Sequence, residues 1–289
     1  MSFLEEIVLH KREEVALRKA EKPEDELRRT LPERQLPLLG ETLGRDELNI
    51  IAEIKYRSPS HGPFRCRKAP VEVAADYVRA GAGALSVLTD ERYFDGRLEY
   101  LAQVYEAQWA AHAAAESGNE EAFRRWSTGD ELLPLVPLLR KDFIIDRYQV
   151  MEAAAAGASA YLLIVACLAP GELQSLLHLG EDLGLEALVE IHDPFELETA
   201  VEAGARLIGV NNRNLRTFEV DLSTSFDIAR RLEGEPGYRL VAESGLSERT
   251  QLEELRDAGF AGFLIGSAFM EHDEPGEALA DLRRGERRI

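Results

Sequence analysis

The residues Ala156-Gly-Ala-Ser-Ala-Tyr-Leu-Leu-Ile-Val165 run from the end of an amphipathic helical pattern into a continuous apolar segment. The glycine supplies the left-handed residue that commonly ends a helix, and the apolar run is typical of a strand buried on both faces. Similar junctions occur at Ala80-Gly-Ala-Gly-Ala, Ala203-Gly-Ala-Arg and Ala258-Gly-Phe-Ala. Because their spacing is not fixed, they indicate a repeated strand–helix unit rather than a solenoid.

Apolar runs of strand length alternate with amphipathic helical segments along the whole chain. The strand runs lie at 49–54, 84–88, 135–139, 160–165, 186–189, 206–210, 239–242 and 262–265. The helical segments lie near 70–80, 98–115, 146–156, 170–183, 193–203, 222–232, 247–258 and 274–285. Eight buried strands, each followed by a helix, predict an α/β fold of the (β/α)8 TIM-barrel type. A doubly wound open sheet is the alternative, but no glycine-rich dinucleotide fingerprint follows the first strand.

The length of 289 residues fits one barrel with additions, so we predict a single domain over 1–289. Residues 1–47 contain an amphipathic helix near 2–20 and a short helical stretch near 24–30, which we expect to cap one end of the barrel. Residues 106–133 lengthen the second helix and add a polar connection, which we interpret as a surface elaboration and a candidate interface. We expect a monomer or a weak homodimer.

Composition excludes several kinds of partner. The net charge of −19 argues against nucleic acid or an anionic membrane as the main partner. Cys66 and Cys167 have no partner spacing and the six histidines are scattered, so we predict reduced thiols and no metal site. The uncharged stretch within 153–172 is interrupted by glycine and proline, which does not suit a membrane span. The first residues do not form a signal-peptide pattern, so we expect a cytoplasmic protein.

Two lysines stand at the ends of apolar runs, Lys55 after Asn49-Ile-Ile-Ala-Glu-Ile and Lys141 after Leu138-Leu-Arg. Only six of the 34 basic residues are lysines, so arginine serves most of the surface. An ammonium at a strand end is partly desolvated, and lysine can pass a proton where arginine stays charged. The alternative to proton transfer is a structural role, in which each lysine only pairs with a nearby carboxylate.

Five strands of the predicted barrel end in polar side chains. Alternation along the first strand puts Glu53 and Lys55 on the same, interior face. The polar residues at the strand ends are Glu53, Lys55, Lys141, Glu190, Asn211, Arg213, Glu243 and Ser244. A purely structural barrel would fill these positions with aliphatic side chains, and the ends of parallel strands carry the chemistry of such barrels. The pattern therefore predicts an enzyme.

Two glycine- and serine-containing turns follow the last two strands, Glu243-Ser-Gly245 and Ile265-Gly-Ser-Ala268. Barrels often bind phosphate there through backbone N–H groups, so the turns predict a phosphate ester substrate. The loop Tyr56-Arg-Ser-Pro-Ser-His-Gly-Pro-Phe64 after the first strand is a candidate lid. Phe94 and Phe143 lie just past strand ends, where aromatic rings could line an apolar pocket.

The chain resembles the indole-3-glycerol phosphate synthase family of tryptophan biosynthesis over about residues 1–105 and 134–270. The matching runs are Ile51-Ala-Glu-Ile-Lys-Tyr-Arg-Ser-Pro-Ser60, Ser86-Val-Leu-Thr-Asp-Glu-Arg-Tyr-Phe94, Leu139-Arg-Lys-Asp-Phe-Ile144, Leu188-Val-Glu-Ile-His192, Ile208-Gly-Val-Asn-Asn-Arg213 and Val241-Ala-Glu-Ser-Gly245. The segment 106–133 departs from the usual short connection. Ile265-Gly-Ser-Ala replaces a common Gly-Glu-Ser, although the family also contains Gly-Ser forms.

The resemblance implies the conversion of 1-(2-carboxyphenylamino)-1-deoxyribulose 5-phosphate to indole-3-glycerol phosphate, carbon dioxide and water, with no metal or organic cofactor. It gives Lys141 the role of general acid in ring closure. Glu190 becomes the candidate for proton transfer during dehydration, with Lys55 sharing the acid work and Glu53 orienting Lys55. Asn211 would hydrogen-bond a substrate hydroxyl or carboxylate.

The resemblance also implies the substrate-binding residues. The residues that would bind phosphate and support the site electrostatically are Ser58, Arg213, Glu243, Ser244, Gly245, Gly266 and Ser267. The residues that would form an apolar slot for the aryl ring are Pro59, Phe94, Phe143, Leu162, Leu215 and Leu264. The expected partner is therefore a small phosphorylated molecule.

Two other functions stay open from the residues themselves. One is another phosphate-binding barrel isomerase, although such enzymes typically need a Cys or Asp acid–base pair and no cysteine ends a barrel strand here. The other is a non-catalytic barrel that binds a ligand. The presence of Glu53, Lys55, Lys141 and Glu190 together argues against this second possibility.

Overall fold

A closed barrel of eight parallel strands forms the centre of the computed structural model, which describes residues 3–44, 48–215 and 217–286. The strands are β1 Ile50–Ile54, β2 Ala84–Leu88, β3 Leu138–Lys141, β4 Ala160–Ile164, β5 Glu186–Ile191, β6 Leu207–Asn211, β7 Arg239–Glu243 and β8 Phe260–Ile265. Each strand pairs in parallel with its neighbours, and β1 pairs with both β2 and β8, which closes the barrel. The predicted TIM-barrel fold is confirmed.

Along the described residues, three helices precede β1, and the others lie between the strands or after the last one. They are α1 Phe3–Glu21, α2 Glu24–Arg29, α3 Leu39–Thr42, α4 Pro70–Arg79, α5 Glu91–Phe94, α6 Leu98–Ser117, α7 Glu120–Arg125, α8 Arg147–Ala155, α9 Pro170–Asp182, α10 Pro194–Glu202, α11 Ser223–Arg231, α12 Arg249–Asp257, α13 Ser267–Met270 and α14 Pro275–Arg284. In the part of the chain that the structure describes, no helix combines the length and apolarity needed to cross a membrane.

Strand β3 begins three residues later than its apolar run predicted. The run includes Pro137 and directly follows Pro134, and proline has no N–H to donate to a neighbouring strand. Pro137 contributes only its carbonyl, which accepts from the Leu85 N–H at 3.0 Å. The regular ladder therefore starts at Leu138 and extends to Lys141, so that the lysine belongs to the strand itself.

The N-terminal segment contacts both ends of the barrel, although the sequence predicted a cap at one end. Helix α1 lies beside the carboxyl ends of the strands, where Phe3 and Ile7 face the large cavity. Helix α3 lies at the opposite end, where the Gly40 N–H donates to Glu186 at the start of β5. Leu43 packs so close to Gly262 that an added Cβ would lie 2.7 Å from it.

A buried cluster of charges fastens α1 to the barrel. Lys11, with a fully buried side chain, lies 2.9 Å from Asp90 and 2.9 Å from Asp142, which follow the ends of β2 and β3. Asp142 also contacts Arg140 at 3.2 Å and accepts from Thr89 at 2.6 Å. Burial acts to lower the pKa of Lys11, but the two aspartates outweigh it and raise that pKa well above its ordinary value.

The segment 106–133 is only partly a surface elaboration. Helix α6 continues to Ser117, and α7 and a short antiparallel pair of strands, 127–128 and 131–132, follow it. Trp126 from this segment is fully buried in the hydrophobic core, and its indole N–H donates to the Pro134 carbonyl at 3.1 Å. The segment therefore contributes to packing on the outside of the barrel.

Candidate active site

A cavity of about 820 Å³ opens at the carboxyl ends of the barrel strands. Every residue that the sequence singled out for the site lines it. These residues are Glu53, Lys55, Ser58, Pro59, Phe94, Lys141, Phe143, Leu162, Glu190, Asn211, Arg213, Leu215, Glu243, Ser244, Gly245, Leu264, Gly266 and Ser267. The structure thus brings together the predicted set, and the role of each member stays a prediction.

Lys141 lies between two buried carboxylates. Its Nζ is 2.8 Å from Oε2 of Glu190 and 2.8 Å from Oε2 of Glu243. The three residues come from β3, β5 and β7, and Glu53 comes from β1. Side chains from alternate strands point into one layer of a TIM barrel, which explains why residues so distant in sequence meet. The Lys141 ammonium and the carboxylates thus share one layer that lines the cavity.

The charged groups of this layer shift one another's pKa values. Burial acts to lower the pKa of Lys141, but Glu190 and Glu243 outweigh it and raise that pKa well above its ordinary value. Burial acts to raise the pKa of Glu190, but the Lys141 ammonium outweighs it and holds that pKa well below its ordinary range. Burial raises the pKa of Glu243 to about 7 despite the same lysine. Glu190 is therefore the ionised partner, and Glu243 titrates near neutrality.

Lys55 pairs with the carboxylate two residues before it. Its Nζ lies 2.5 Å from Oε1 of Glu53, as the alternation along β1 led us to expect, and 5.5 Å from the centroid of the Phe64 ring. Gly266 lies against the same carboxylate, because a Cβ added there would be 2.5 Å from Oε1 of Glu53. The ion pair that was the structural alternative to a chemical role for Lys55 is therefore present, and it lies inside the cavity.

Asn211 contacts a carboxylate of the site. Its Nδ2 donates to Oε1 of Glu190 at 3.1 Å, and its Oδ1 accepts from the Arg213 N–H at 3.0 Å. The Arg213 guanidinium donates to the Phe218 carbonyl at 3.0 Å. Asn211 therefore holds Glu190 in place, which adds a second task to its predicted contact with substrate.

The turns after β7 and β8 lie side by side. Ser244 and Gly245 both have left-handed backbones, with φ of 66° and 79°. The first is uncommon for a residue with a side chain, and such backbones turn consecutive N–H groups toward a common point. Helix α13 begins at Ser267, directly after Gly266. Ser58 lines the cavity from the loop after β1.

One wall of the cavity is apolar and includes residues that sequence reasoning missed. Phe94 and Phe143 lie with their ring centroids 6.1 Å apart. Helix α1 adds Phe3, Leu4 and Ile7 to this wall. Their one-face spacing is visible in the sequence, but only the docking of α1 shows which surface that face meets.

His192 is another residue that the sequence did not single out. Its Nε2 lies 3.2 Å from Oε1 of Glu190, and its Nδ1 lies 3.1 Å from Oε2 of Glu196. Its spacing of two residues from a strand carboxylate was the available signal. Within the described ranges, no group of three His, Cys, Asp or Glu side chains could hold a metal ion.

A TIM barrel with charged layers at the carboxyl ends of its strands is the architecture of a barrel enzyme. Its particular family follows from sequence comparison: the chain belongs to the indole-3-glycerol phosphate synthase family, whose model matches residues 4–282. The indole-3-glycerol phosphate synthase of Carboxydothermus hydrogenoformans is 41% identical over 288 residues, covering 97% of this chain and 99% of the relative. The enzyme of the same name from Salinibacter ruber is 41% identical over 291 residues, covering 100% and 98%.

Solved structures of other barrels agree with the fold alone. A thiamine phosphate pyrophosphorylase from Pyrococcus furiosus superimposes with a TM-score of 0.53 at 15% identity, covering 82% of this chain and 94% of that one. A structure described as native KDPGal gives a TM-score of 0.52 at 16% identity, covering 83% and 93%.

Proposed function

We propose that this protein converts 1-(2-carboxyphenylamino)-1-deoxyribulose 5-phosphate to indole-3-glycerol phosphate, carbon dioxide and water in tryptophan biosynthesis. This makes it a carbon–carbon lyase of the carboxy-lyase class. The observation that carries the proposal is Lys141, a partly buried ammonium held by Glu190 and Glu243 beside an apolar wall. Family membership supports the same reaction.

Ring closure requires the aryl carbon that bears the carboxylate to attack the ribulose carbonyl. Negative charge develops on the carbonyl oxygen, and a positioned cation can protonate that oxygen. Lys141 suits this role because its two carboxylate partners keep it charged in a partly desolvated site. Loss of carbon dioxide then restores the aromatic ring.

Dehydration needs an acid and a base. Glu190 was the predicted proton carrier, but contacts with Lys141, Asn211 and His192 stabilise its ionised form. Glu243 has an Oε1 that accepts no hydrogen bond within the described residues, and its pKa lies at about 7. We therefore assign proton exchange to Glu190 and Glu243 together, with Lys55 as an acid held by Glu53.

Substrate binding divides between two parts of the cavity. The phosphate would lie at the turns Ser244-Gly245 and Gly266-Ser267, with Ser58 opposite. The aryl ring would lie on the wall that contains Phe94 and Phe143, which holds the ring over the carbonyl. Neither part requires a metal or an organic cofactor for the proposed steps.

Three broader assignments belong to the same proposal. We assign residues 1–289 to one domain, place the protein in the cytoplasm and expect it to act as a monomer or weak homodimer. Its partner is the phosphorylated substrate rather than a nucleic acid or a membrane, in keeping with a net charge of −19.

The test is to mix the purified protein with the carboxyphenylamino-deoxyribulose phosphate and follow indole fluorescence, with and without a chelator. We expect a rise that the chelator does not abolish. Saturable binding without a rise would instead support a non-catalytic ligand-binding barrel. Neither signal would favour a sugar-phosphate isomerase.

A further inference from the structure

Glu190 has more donors around it than a simple ion pair with Lys141 would need. Its Oε2 faces Lys141 at 2.8 Å, and its Oε1 faces both Asn211 at 3.1 Å and His192 at 3.2 Å. The carboxylate is only 3% exposed, so no bulk water replaces these contacts. Lys141 and Asn211 donate hydrogen bonds to this carboxylate, whereas His192 Nε2 makes an ionic contact with it without hydrogen-bond geometry. Of these three neighbours, His192 is the one that the proposed reaction does not use.

His192 is itself held from the side opposite to Glu190. Oε2 of Glu196 lies 3.1 Å from Nδ1 of His192 and also accepts from the His192 backbone N–H at 2.7 Å. Glu196 lies in the first turn of α10, directly after the loop that carries His192. One carboxylate thus fixes both the backbone and the ring of His192.

The ring lies in a setting that favours its charged form. Its side chain is 13% exposed, and carboxylates face both of its nitrogens. Cys167 lies in the turn after β4. Burial is the main cause that raises the pKa of its thiol, and the nearby Glu190 and Glu196 raise it further. Burial acts to lower the pKa of His192, but Glu190 and Glu196 outweigh it and raise that pKa to about 10.

We infer that His192 is a positioning residue: held by Glu196, it fixes Oε1 of Glu190 so that Oε2 stays directed at Lys141. The inference rests on the proposed function for its catalytic consequence, because Lys141 and Glu190 are the groups that exchange protons there. His192 does not line the cavity, so it acts through Glu190 rather than on the substrate.

Two substitutions of His192 separate its contact with Glu196 from its contact with Glu190. In His192→Asn the amide can replace Nδ1 toward Glu196 but is too short to reach Glu190. In His192→Gln the longer side chain can place an amide near the position of Nε2 without a charge. His178→Asn is the matched control, since His178 is an exposed histidine on α9.

We expect His192→Asn to lower kcat by about 10- to 100-fold with KM changed less than about threefold, since a catalytic carboxylate is misplaced. Loss of the nearby cation also weakens the stabilisation of the ionised Glu190 carboxylate. His192→Gln should retain more of kcat than His192→Asn. The His178→Asn enzyme should behave as the parent does.

Nitrogen NMR of the histidine side chains tests the contact without relying on turnover. At pH 8, where an ordinary histidine is neutral, we expect a doubly protonated His192 ring in the unaltered protein and a smaller doubly protonated fraction in Glu196→Gln, where Glu190 remains. A neutral His192 ring at pH 8 in the unaltered protein would overturn the inference.

The kinetic outcomes are also decisive. If the unaltered enzyme is active and His192→Asn loses only thermal stability, with kcat unchanged, His192 is structural and the inference fails. If the unaltered protein shows no turnover at all, the proposed function fails, and the NMR result alone decides whether His192 holds Glu190.

Discussion

Lys141 shows how a partly buried cation can stay charged and still be placed to give up its proton. Two carboxylates 2.8 Å away offset the cost of burying the ammonium. Glu190 is held ionised by further contacts, whereas Glu243 titrates near neutrality. A proton released by Lys141 therefore has a nearby group from which it can be replaced.

Removal of the charge on Lys141 or on Glu190 should lower turnover more than it weakens substrate binding. We expect Lys141→Met or Glu190→Gln to lower kcat by about 100-fold or more with a smaller change in KM. Lys141→Arg should recover little activity, because a guanidinium does not release its proton. Steady-state kinetics of indole formation measures both constants.

Lys68 provides a matched control for this experiment. It also pairs with two carboxylates, Asp76 at 2.9 Å and Glu274, but it lies outside the cavity. Lys68→Met should leave kcat unchanged. Near-normal turnover in both Lys141→Met and Glu190→Gln would show that the catalytic roles are assigned to the wrong residues.

The titration of Glu243 should make the free energy of unfolding depend on pH. Burial raises its pKa from 4.5 to about 7, so between these values the folded protein binds a proton that the unfolded chain does not. The stability from this proton is fully present below pH 4.5 and is lost as pH rises through about 7. Relative to Glu243→Gln, the unaltered protein should lose up to about 1.4 kcal/mol per pH unit across this window.

Urea unfolding of both proteins at several pH values measures this difference, and the neutral amide of the variant serves as the reference. A stability difference that does not change between pH 4.5 and 7 would mean that Glu243 titrates at its ordinary value in the folded protein.

Helix α1 illustrates how an element can be recognised while its contacts are not. The sequence predicted a helix near 2–20, and α1 spans Phe3–Glu21. Lys11 looks like an ordinary surface lysine in that pattern, but its side chain is fully buried against Asp90 and Asp142. Such a contact joins segments far apart in the chain, so local periodicity carries no sign of it.

Loss of the Lys11 charge should weaken the docking of α1. We expect Lys11→Met to reduce the free energy of unfolding by about 3 kcal/mol or more, because two buried aspartates lose a partner. Lys19→Met, on the same helix, breaks an exposed pair with Asp146 and should cost less than about 1 kcal/mol. Equal losses in the two variants, measured by urea unfolding, would contradict a docking role for Lys11.

The strands were predictable because their burial leaves a strong local pattern. Seven of the eight predicted runs begin within two residues of the strands found, and β3 differs because of its prolines. The interior layer of charges was predictable for the same reason, since alternation and strand ends fix where Glu53, Lys141 and Glu190 point. His192 was not, because its position depends on the path of a loop and on Glu196 beyond it.

At the scale of the whole molecule, catalysis and packing draw on different parts of the chain. Among the described residues, none from 95 to 140 lines the cavity, yet this region supplies Trp126 to the core. We expect Trp126→Ala to lower the free energy of unfolding by about 3–5 kcal/mol and to leave kcat within about twofold well below the melting temperature.

Phe195→Ala is the control for this substitution, since that ring is 79% exposed and should contribute less than about 0.5 kcal/mol. Thermal unfolding followed with indole formation at low temperature gives both readouts. A large fall in kcat for Trp126→Ala in fully folded protein would mean that the segment 106–133 influences the active site after all.

Closure of the barrel by the pairing of β1 with β8 has a consequence for biosynthesis. Ile50 pairs with Phe263, so an early strand keeps an unpaired edge on the ribosome until nearly the whole chain has emerged. Helix α1 meets its aspartate partners much sooner, at positions 90 and 142. A nascent chain can therefore fold its first half early. Glu243 and the turn at Gly266 are synthesised near the end of the chain, so the active site is completed only at the final stage of synthesis.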